Sequence, residues 1–507
     1  DHWTSYWQDV LAENPNILKP KLNNTGPFRF WIHESLQDNK PMDRFVTELI
    51  MMEGSQYYGG PRGFGVATQN DVPMAAKAQV VGQAFLGMQM KCARCHDAPF
   101  HSYNQKDLFG IAAMLSRKPV AVPKTSSVPV VPGHKSRVEV SLVPGTAVKP
   151  DWPFKVNELS GPISNDSRAQ LAAMITHGHR ERFAEVIVNR VWQRYLGWGL
   201  VEPVDDWENA VASHPQLLKW LAREFLVSGY DLKHVARLIM NSHVYQRQVD
   251  PAFTAAGGAE ERVYAGPARR RLSAEQVVDS LFAVAGKEMD VEPLTLDING
   301  RGTVATFLNL GTPRRAWQFT SLSNERDRPS LAIPKAQSVV DVLQTFGWRD
   351  TRQDALTRRG HEPNVLQPSA LANGIVGRRI AQLSDDSAFT ELALRTMDCR
   401  EMVRLIYRRV LGRAPSEEEL ITMDQYLCVT YANRVVKNAP QLIRQEKVLD
   451  VSWNNHLSEE ANRIKVELEK HVLAGDPPTN RLRPEWRERL EDVVYALVNS
   501  PEFIFVP

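Results

Sequence analysis

The sequence predicts a mainly α-helical protein: two packed helical regions joined by a short β-rich or extended connector. Three observations carry this. Over most of the chain apolar residues recur at spacings of three, four and seven, which is one face of a helix. Alternating β-branched residues gather between Val120 and Leu142, where Pro and Gly interrupt them. No repeat of fixed period is found. With 507 residues, 43% of them apolar and 24% charged, the chain has room for two to four cores. The expected division is 1–117, a connector over 118–164, and 165–507.

In chain order, Trp3, Tyr6, Trp7, Val10 and Leu11 share one helical face. A second helix is expected near Phe28 to Leu36. Pro41 opens a third, with Phe45, Leu49 and Met52 on one side. Gly59 to Gly65 reads as a loop. Asp71 can cap the next helix, and Pro73 is tolerated in its first turn. Val81, Ala84, Phe85, Met88, Cys92 and Cys95 then keep helical spacing, so the two thiols are expected to extend a buried stripe. Pro99 to Asn104 is a turn, and Lys106 to Leu115 a short helix. In the connector Val120, Val122, Val128, Val130, Val131, Val138, Val140 and Leu142 suggest a small hairpin or extended arm.

From Asp166 the pattern is helical again, over Leu171 to Thr176 and Phe183 to Leu196. Ser213-His214-Pro215-Gln216 has the shape of a capping box. The helix after it would bury Leu217, Leu218, Leu221 and Phe225 and end at Gly229. Asp231 caps the next, with Leu232, Val235, Ala236 and Ile239 inward. Residues 251–267 read as a loop. Arg269-Arg270-Arg271 leads into a helix carrying Val277, Val278, Leu281 and Val284. Residues 288–335 are expected to form a long irregular loop, and loops of that length are usually functional or mobile. Helices resume at Ser338, near Met402 to Leu411, from Ser416 with Glu419 in the boxed position, at Glu459 to His471, and at Pro484 to Asn499.

Chemistry is concentrated at Cys92-Ala93-Arg94-Cys95-His96. Two thiols at this spacing, followed at once by a His, form the attachment signature of a c-type haem. The thiols add across the two vinyl groups of the porphyrin, and the imidazole binds the iron. Two rival readings exist. A structural zinc site needs four ligands, and the remaining thiols, Cys399 and Cys428, lie some 300 residues away. A thioredoxin-like pair needs a βαβ context, and the flanks here read as helical. The expected cofactor is one covalent haem c, held by Cys92, Cys95 and His96.

A c-type haem is attached outside the cytoplasm. A periplasmic or extracellular location is therefore expected, together with a cleaved secretory signal upstream of Asp1. Cys399 and Cys428 could pair in that compartment, but two inert buried thiols explain them equally well. The net charge of +2 gives no footprint for nucleic acid. No apolar run reaches the length of a membrane span.

The chain resembles a family of secreted planctomycete and verrucomicrobial proteins built from two successive cytochrome-associated domains of unknown function. The first domain resembles Trp3 to Leu115, through Cys92-Ala-Arg-Cys-His-Asp-Ala-Pro-Phe and Asn104-Gln-Lys-Asp107. The second resembles Asp166 to the end. Its pieces are Asn189-Arg-Val-Trp192, Gly197-Trp-Gly-Leu-Val201, Asp205-Asp-Trp207, Ser213-His-Pro-Gln-Leu217 and Arg270-Arg-Leu272, with the tail Leu497-Val-Asn-Ser500 and Glu502-Phe503. Many members carry a His where this chain has Ala98; the nearby His here is His101. The resemblance implies a compartment and a haem, and no settled reaction.

The group opposite His96 would decide the chemistry, since a Met or His saturates the iron and an open position permits catalysis. Nearby candidates are His101, Met88, Met90 and Met114; further along they are His177, His179, His214 and His243. His214 follows the acidic, aromatic stretch Asp205-Asp206-Trp207-Glu208. With Asp206 it is the candidate catalytic pair, a base that takes a proton from a hydroxyl. A packing or capping His explains it as well. Asn189, Arg190 and Trp192 could equally brace helices. Arg270 and Arg271 could bind a propionate or an acidic substrate, or form a salt bridge at a helix start.

Three functions fit. One is an extracytoplasmic oxidoreductase that oxidises a polar, carbohydrate-like substrate and hands electrons to a soluble cytochrome. A second is an electron-transfer subunit of a larger complex. The third is a structural or binding scaffold with a haem. Size favours the first over the second, because electron transfer alone needs about 100 residues around a haem.

Overall fold

The computed structural model describes residues 1–13, 26–54, 60–66, 72–123, 133, 138–154, 164–177, 181–249, 262–296, 308–320, 332–350, 352, 354–360, 363–442, 451 and 455–506. Among them helices dominate, and strands are confined to three two-stranded antiparallel pairs. The fold is mainly α, as the periodicity predicts. The chain divides into two compact units. One holds Trp3–Arg269 with Thr351–Arg358; the other holds Arg270–Asp350 and Arg359–Pro507. Residues 165–269, expected with the C-terminal region, thus belong to the same unit as the Cys-x-x-Cys-His turn.

The first unit contains α1 (His2–Val10), α2 (Gly26–Gln37), α3 (Met42–Met51), α4 (Arg62–Val66), α5 (Pro73–Leu86) and α6 (Gln105–Ser116). It continues with α7 (Ser167–Thr176), α8 (Glu181–Leu196), α9 (Pro215–Val227) and α10 (Leu232–Met240). Helix α5 packs on α6 and α8, α3 on α7, and α9 and α10 on α8. Trp7, Phe45, Phe85 and Phe183 lie at the centre of one continuous apolar core. The connector contributes the pair β1 (Val120–Ala121) and β2 (Ala147–Val148). Val128, Val130, Val131, Asp71 and His179 fall outside the described residues.

Several local expectations are corrected. The loop expected at 59–65 contains the short helix α4. The Ser213 capping box does not form: Pro215 presets the first helical position, His214 is the N-cap, and Ser213 Oγ donates to Leu200 O instead. Leu217 is half-buried rather than buried. Asp231 does cap α10, accepting from the His234 N–H.

A buried ionic cluster fastens 351–358 to the N-terminal helix. Arg352 reaches Asp9 at 2.7 Å and Glu13 at 3.3 Å, and Arg29 reaches Glu13 at 3.1 Å. Leu356 N–H donates to Asp9 O at 3.0 Å. All four charged side chains are nearly excluded from water, a setting in which losing one partner costs about 3–5 kcal/mol.

The second unit contains β3 (Arg270–Arg271), α11 (Ala274–Ala285), β4 (Leu294–Leu296), β5 (Leu308–Gly311) and α12 (Pro334–Thr345). After these come α13 (Leu366–Asn373), α14 (Ile375–Ala381), α15 (Ala388–Leu394), α16 (Cys399–Leu411), α17 (Glu417–Met423), α18 (Glu459–Ala474), α19 (Pro484–Val498) and β6 (Phe505–Val506). The Ser416–Glu419 capping box forms as expected. The stretch expected to be irregular carries the hairpin β4–β5 and a 3-10 turn at Ala316–Gln318. Arg270 and Arg271 lie in β3, paired with β6, and buried Arg271 stacks over Phe346. Cys399 and Cys428 are joined as a disulfide across 29 residues, which ties α16 to the turn after α17.

Candidate functional site

The helix leading to the thiols stops earlier than its apolar spacing implies. Helix α5 ends at Leu86, and Gly87 takes φ +64°. A Cβ on Gly87 would sit 2.6 Å from the Trp207 ring, so only glycine lets that indole approach. Trp207 N–H donates to Gly87 O at 2.8 Å, and the Arg182 guanidinium covers the other part of the ring at 4.9 Å. Met88 and Met90 stay buried, with the Met90 methyl seated against Gly82. The thiols therefore leave the stripe. Cys92–Arg94 is a single 3-10 turn, Cys92 is exposed, and Cys95 is half-buried. Neither is bonded to another sulfur.

His96 follows on the same turn. Its Nδ1 lies 2.8 Å from Asp97 O, and a carbonyl can only accept. Nδ1 therefore carries the proton, and Nε2 keeps its lone pair. This is the tautomer a metal-ligating His uses, with the second ring nitrogen fixed by a backbone carbonyl. The exit from the turn is held on several sides. Asp97 Oδ1 accepts from Gln105 N–H at 2.8 Å and from Ser141 Oγ at 2.7 Å. Asp97 N–H donates to Glu139 O at 2.9 Å. Residues 139–142 of the connector are thus latched onto the turn. Asn104 and Asp107 form a capping box that starts α6 immediately afterwards.

An acidic stretch 105 residues further on meets this turn. His101 Nε2 donates to Asp206 Oδ2 at 2.7 Å, and Ser102 N–H donates to Glu208 Oε1 at 2.6 Å. Gln83 Nε2 donates to Asp205 Oδ2 at 2.7 Å. Tyr103 stacks on His101 with ring centres 5.9 Å apart. Burial, and then the neighbouring Glu208 and Asp206, push the Tyr103 phenol up to about 12. Asp206 Oδ1 and Glu208 Oε2 are buried and find no donor among the described residues.

Asp206 is therefore partnered by His101, and His214 lies apart from it. His214 is an exposed N-cap whose Nδ1 faces Ser213 Oγ at 3.1 Å and whose ring meets the edge of Tyr264 at 5.5 Å. Met114 is buried in α6, His177 is the half-buried C-cap of α7, and His243 is exposed. Sequence reasoning passed over His101 as a partner of Asp206. The acid run at 205–208 was the available signal, but it does not say which base it faces.

Asn189 and Arg190 are braces. Asn189 makes two hydrogen bonds with the Val201 backbone, at 2.9 and 3.0 Å. Arg190 donates to Gln83 O at 2.7 Å and Ala84 O at 2.8 Å, the last turn of α5. It also reaches Tyr6 Oη at 3.2 Å and Thr357 Oγ1 at 2.9 Å.

The donor set at 92–96 suits a covalent haem: two unpaired thiols on an outward turn and an imidazole with Nε2 available. It suits zinc less well. Among the described residues no three His, Cys, Asp or Glu side chains converge on one point, and Cys399 and Cys428 are committed to each other.

Residues 167–427, just over half of the chain, match the family described as PSD1, a protein of unknown function (DUF1553). Residues 1–119 match PSCyt2, also a protein of unknown function (DUF1549). No curated protein and no solved structure matches the chain.

Proposed function

The chain belongs to the PSD1 family of proteins of unknown function (DUF1553), and we propose that it is an extracytoplasmic c-type haem oxidoreductase. Cys92 and Cys95 would carry the two thioether bonds, and His96 Nε2 would bind the iron. When bound, the haem supplies one-electron exchange at a fixed position on the protein surface. The observation that carries this reading is the turn itself: two thiols outside any disulfide, Cys92 exposed and Cys95 half-buried, beside a His whose Nδ1 is already engaged. The Cys399–Cys428 disulfide supports an oxidising compartment, periplasmic or extracellular.

The residues beside the turn suit a polar substrate rich in hydroxyl groups, such as a carbohydrate. With Nε2 donating to Asp206, His101 presents Nδ1 as its basic nitrogen and can take a hydroxyl proton. Asp206 holds the ring in that tautomer. Asp206 Oδ1 and Glu208 Oε2 are acceptors in need of donors, which neighbouring substrate hydroxyls would provide. Tyr103 remains a neutral donor at any physiological pH. Oxidation of one hydroxyl carbon to a carbonyl would release two protons and two electrons, so two molecules of a soluble cytochrome, the proposed one-electron acceptor, would be reduced per turnover.

The test is expression in a host with periplasmic haem-c maturation. One haem per chain should survive denaturation and give a pyridine haemochrome spectrum of the c type. Cys92→Ala with Cys95→Ala should abolish it while leaving the circular dichroism spectrum unchanged. Folded protein that carries no covalent haem, or that holds zinc instead, would refute the proposal. A panel of sugars and polyols then tests the substrate: one should reduce the haem, at least a hundredfold more slowly in His101→Gln. A second reading rests on Phe100, which is 86% exposed four residues after His96. Such an aromatic suits a partner-docking face. Haem reduction by a partner protein and by none of the substrates would favour an electron-transfer subunit.

A further inference from the structure

A cavity of about 350 Å3 in the first unit lies among the C-terminal end of α2, the start of α3, and α10. It is of a size that takes small molecules. Leu232, Ala236 and Met240 line it at helical spacing along α10, so it follows one side of that helix. Its walls include three aromatic rings: Trp3, Phe45 and Tyr195. Among the described residues its charged lining residues are Lys40, Lys233 and Arg237, and none of those lining it is acidic.

The three cations are not equally committed. Lys40 pairs with Glu48 and lies over the Trp31 ring at 5.0 Å. Lys233 Nζ donates to Gln37 O at 2.9 Å, a neutral acceptor, and meets no carboxylate among the described residues. Arg237 stands 3.8 Å from Asp231, beyond hydrogen-bond distance, with an exposed side chain. The mouth therefore carries positive charge that the protein does not fully neutralise, above an apolar, aromatic interior. Ser35, also on the lining, has a buried hydroxyl without a hydrogen-bond partner among the described residues.

The geometry points to a binding site for a small, flat, apolar carboxylate, an aryl acid. Its rings lie among Trp3, Phe45 and Tyr195, and its carboxylate meets Lys233 and Arg237 at the mouth. Bidentate carboxylate recognition is what a guanidinium does best, and an ammonium beside it adds a point charge. This site is separate from the haem turn and does not depend on the function proposed for that turn.

Calorimetric titration with 2-naphthoate tests the assignment on the full chain. The neutral 2-naphthylmethanol and the cationic 2-naphthylmethylammonium serve as probes of the same shape. Naphthoate should bind in a 1:1 ratio, at least tenfold more tightly than the alcohol, and the ammonium more weakly still. Lys233→Gln with Arg237→Gln, both at the open mouth, should erase the preference for the acid and leave binding of the alcohol unchanged. The assignment is overturned if naphthoate shows no saturable binding at millimolar concentration. It is equally overturned if acid and alcohol bind alike, or if the double substitution leaves naphthoate binding intact.

Discussion

Replacing Arg190 by Met removes the side chain that closes the C-terminal end of α5, six residues before the first thiol. Arg190 is 1% exposed. Its two strongest bonds go to Gln83 O at 2.7 Å and Ala84 O at 2.8 Å, and it faces no carboxylate among the described residues. Its charge is balanced by the negative end of the α5 dipole. Hydrogen bonds to a charged group contribute about 1.5–3 kcal/mol each, and a buried carbonyl left without a donor costs about 1–3 kcal/mol. Met recovers most of the apolar packing and avoids the desolvation of a guanidinium. The net loss expected for Arg190→Met is therefore about 4 kcal/mol, on the scale of breaking a buried charge pair. Lys keeps the charge but cannot fork between two carbonyls, so Arg190→Lys should lose about half of that. Urea unfolding followed by peptide-resolved hydrogen exchange measures both. Peptides covering 83–97 should lose protection first, while those of the second unit keep theirs. A loss below about 1 kcal/mol for the Met variant, or equal deprotection in both units, would show that the helix end is held by something else.

Two further predictions concern the second unit. Burial holds the Asp279 carboxyl up at about 6, although it accepts from the Ala316 N–H at 2.9 Å. The folded form thus binds the proton more tightly than the unfolded chain, and stability falls as pH rises from about 4 to about 6. The gap corresponds to about 3 kcal/mol, so Asp279→Asn should stabilise this unit by about 2–3 kcal/mol at pH 7.5 and by almost nothing at pH 4; denaturant midpoints at the two pH values decide it. The Cys399–Cys428 bond closes a 29-residue separation, for which chain entropy gives about 3.5 kcal/mol. Cys399→Ala with Cys428→Ala should lower stability by that amount, and a reductant should then have no further effect on the melting curve.

The helical class was legible because amphipathic spacing is local, and the five-residue turn because its chemistry is written in consecutive letters. What could not be read depended on contacts distant in sequence. The apolar rhythm runs unbroken from Val81 to Cys95, yet the helix stops at Leu86, where Gly87 turns left-handed and Trp207 packs against it. Asp206 reads as an acid beside His214, eight residues on, and nothing local points to His101, 105 residues back. Only the packing of 97–103 against 205–208 selects His101 over His214. The capping box at Ser213 fails for a similar reason, since its hydroxyl is drawn to Leu200 O in another loop. Charge pattern alone did not disclose that Arg352 belongs with Asp9 and Glu13, more than 330 residues away.

The boundaries of the two family matches and the physical boundaries of the chain do not coincide, and the difference bears on where the chemistry resides. The PSCyt2 match ends at 119, and the PSD1 match begins at 167. Yet residues 167–269 and 351–358 fold with the first stretch, while 270–350 and 359–427 fold in the second unit. A 3-10 turn of three residues cannot orient two thiols and an imidazole by itself. Its approach is fixed by Trp207 and Arg190, its exit by Glu139 and Ser141, and its flank by Asp206 and Glu208. Every one of those residues lies outside 1–119. The turn carries the signature, but its geometry is supplied by the connector and by α8 and the loop that follows it. Residues 1–119 alone would keep the thiols and the His and lose what aims them. The smallest piece in which this site can be studied is the first unit entire, including 351–358, whose Arg352 and Thr357 bind α1 and Arg190.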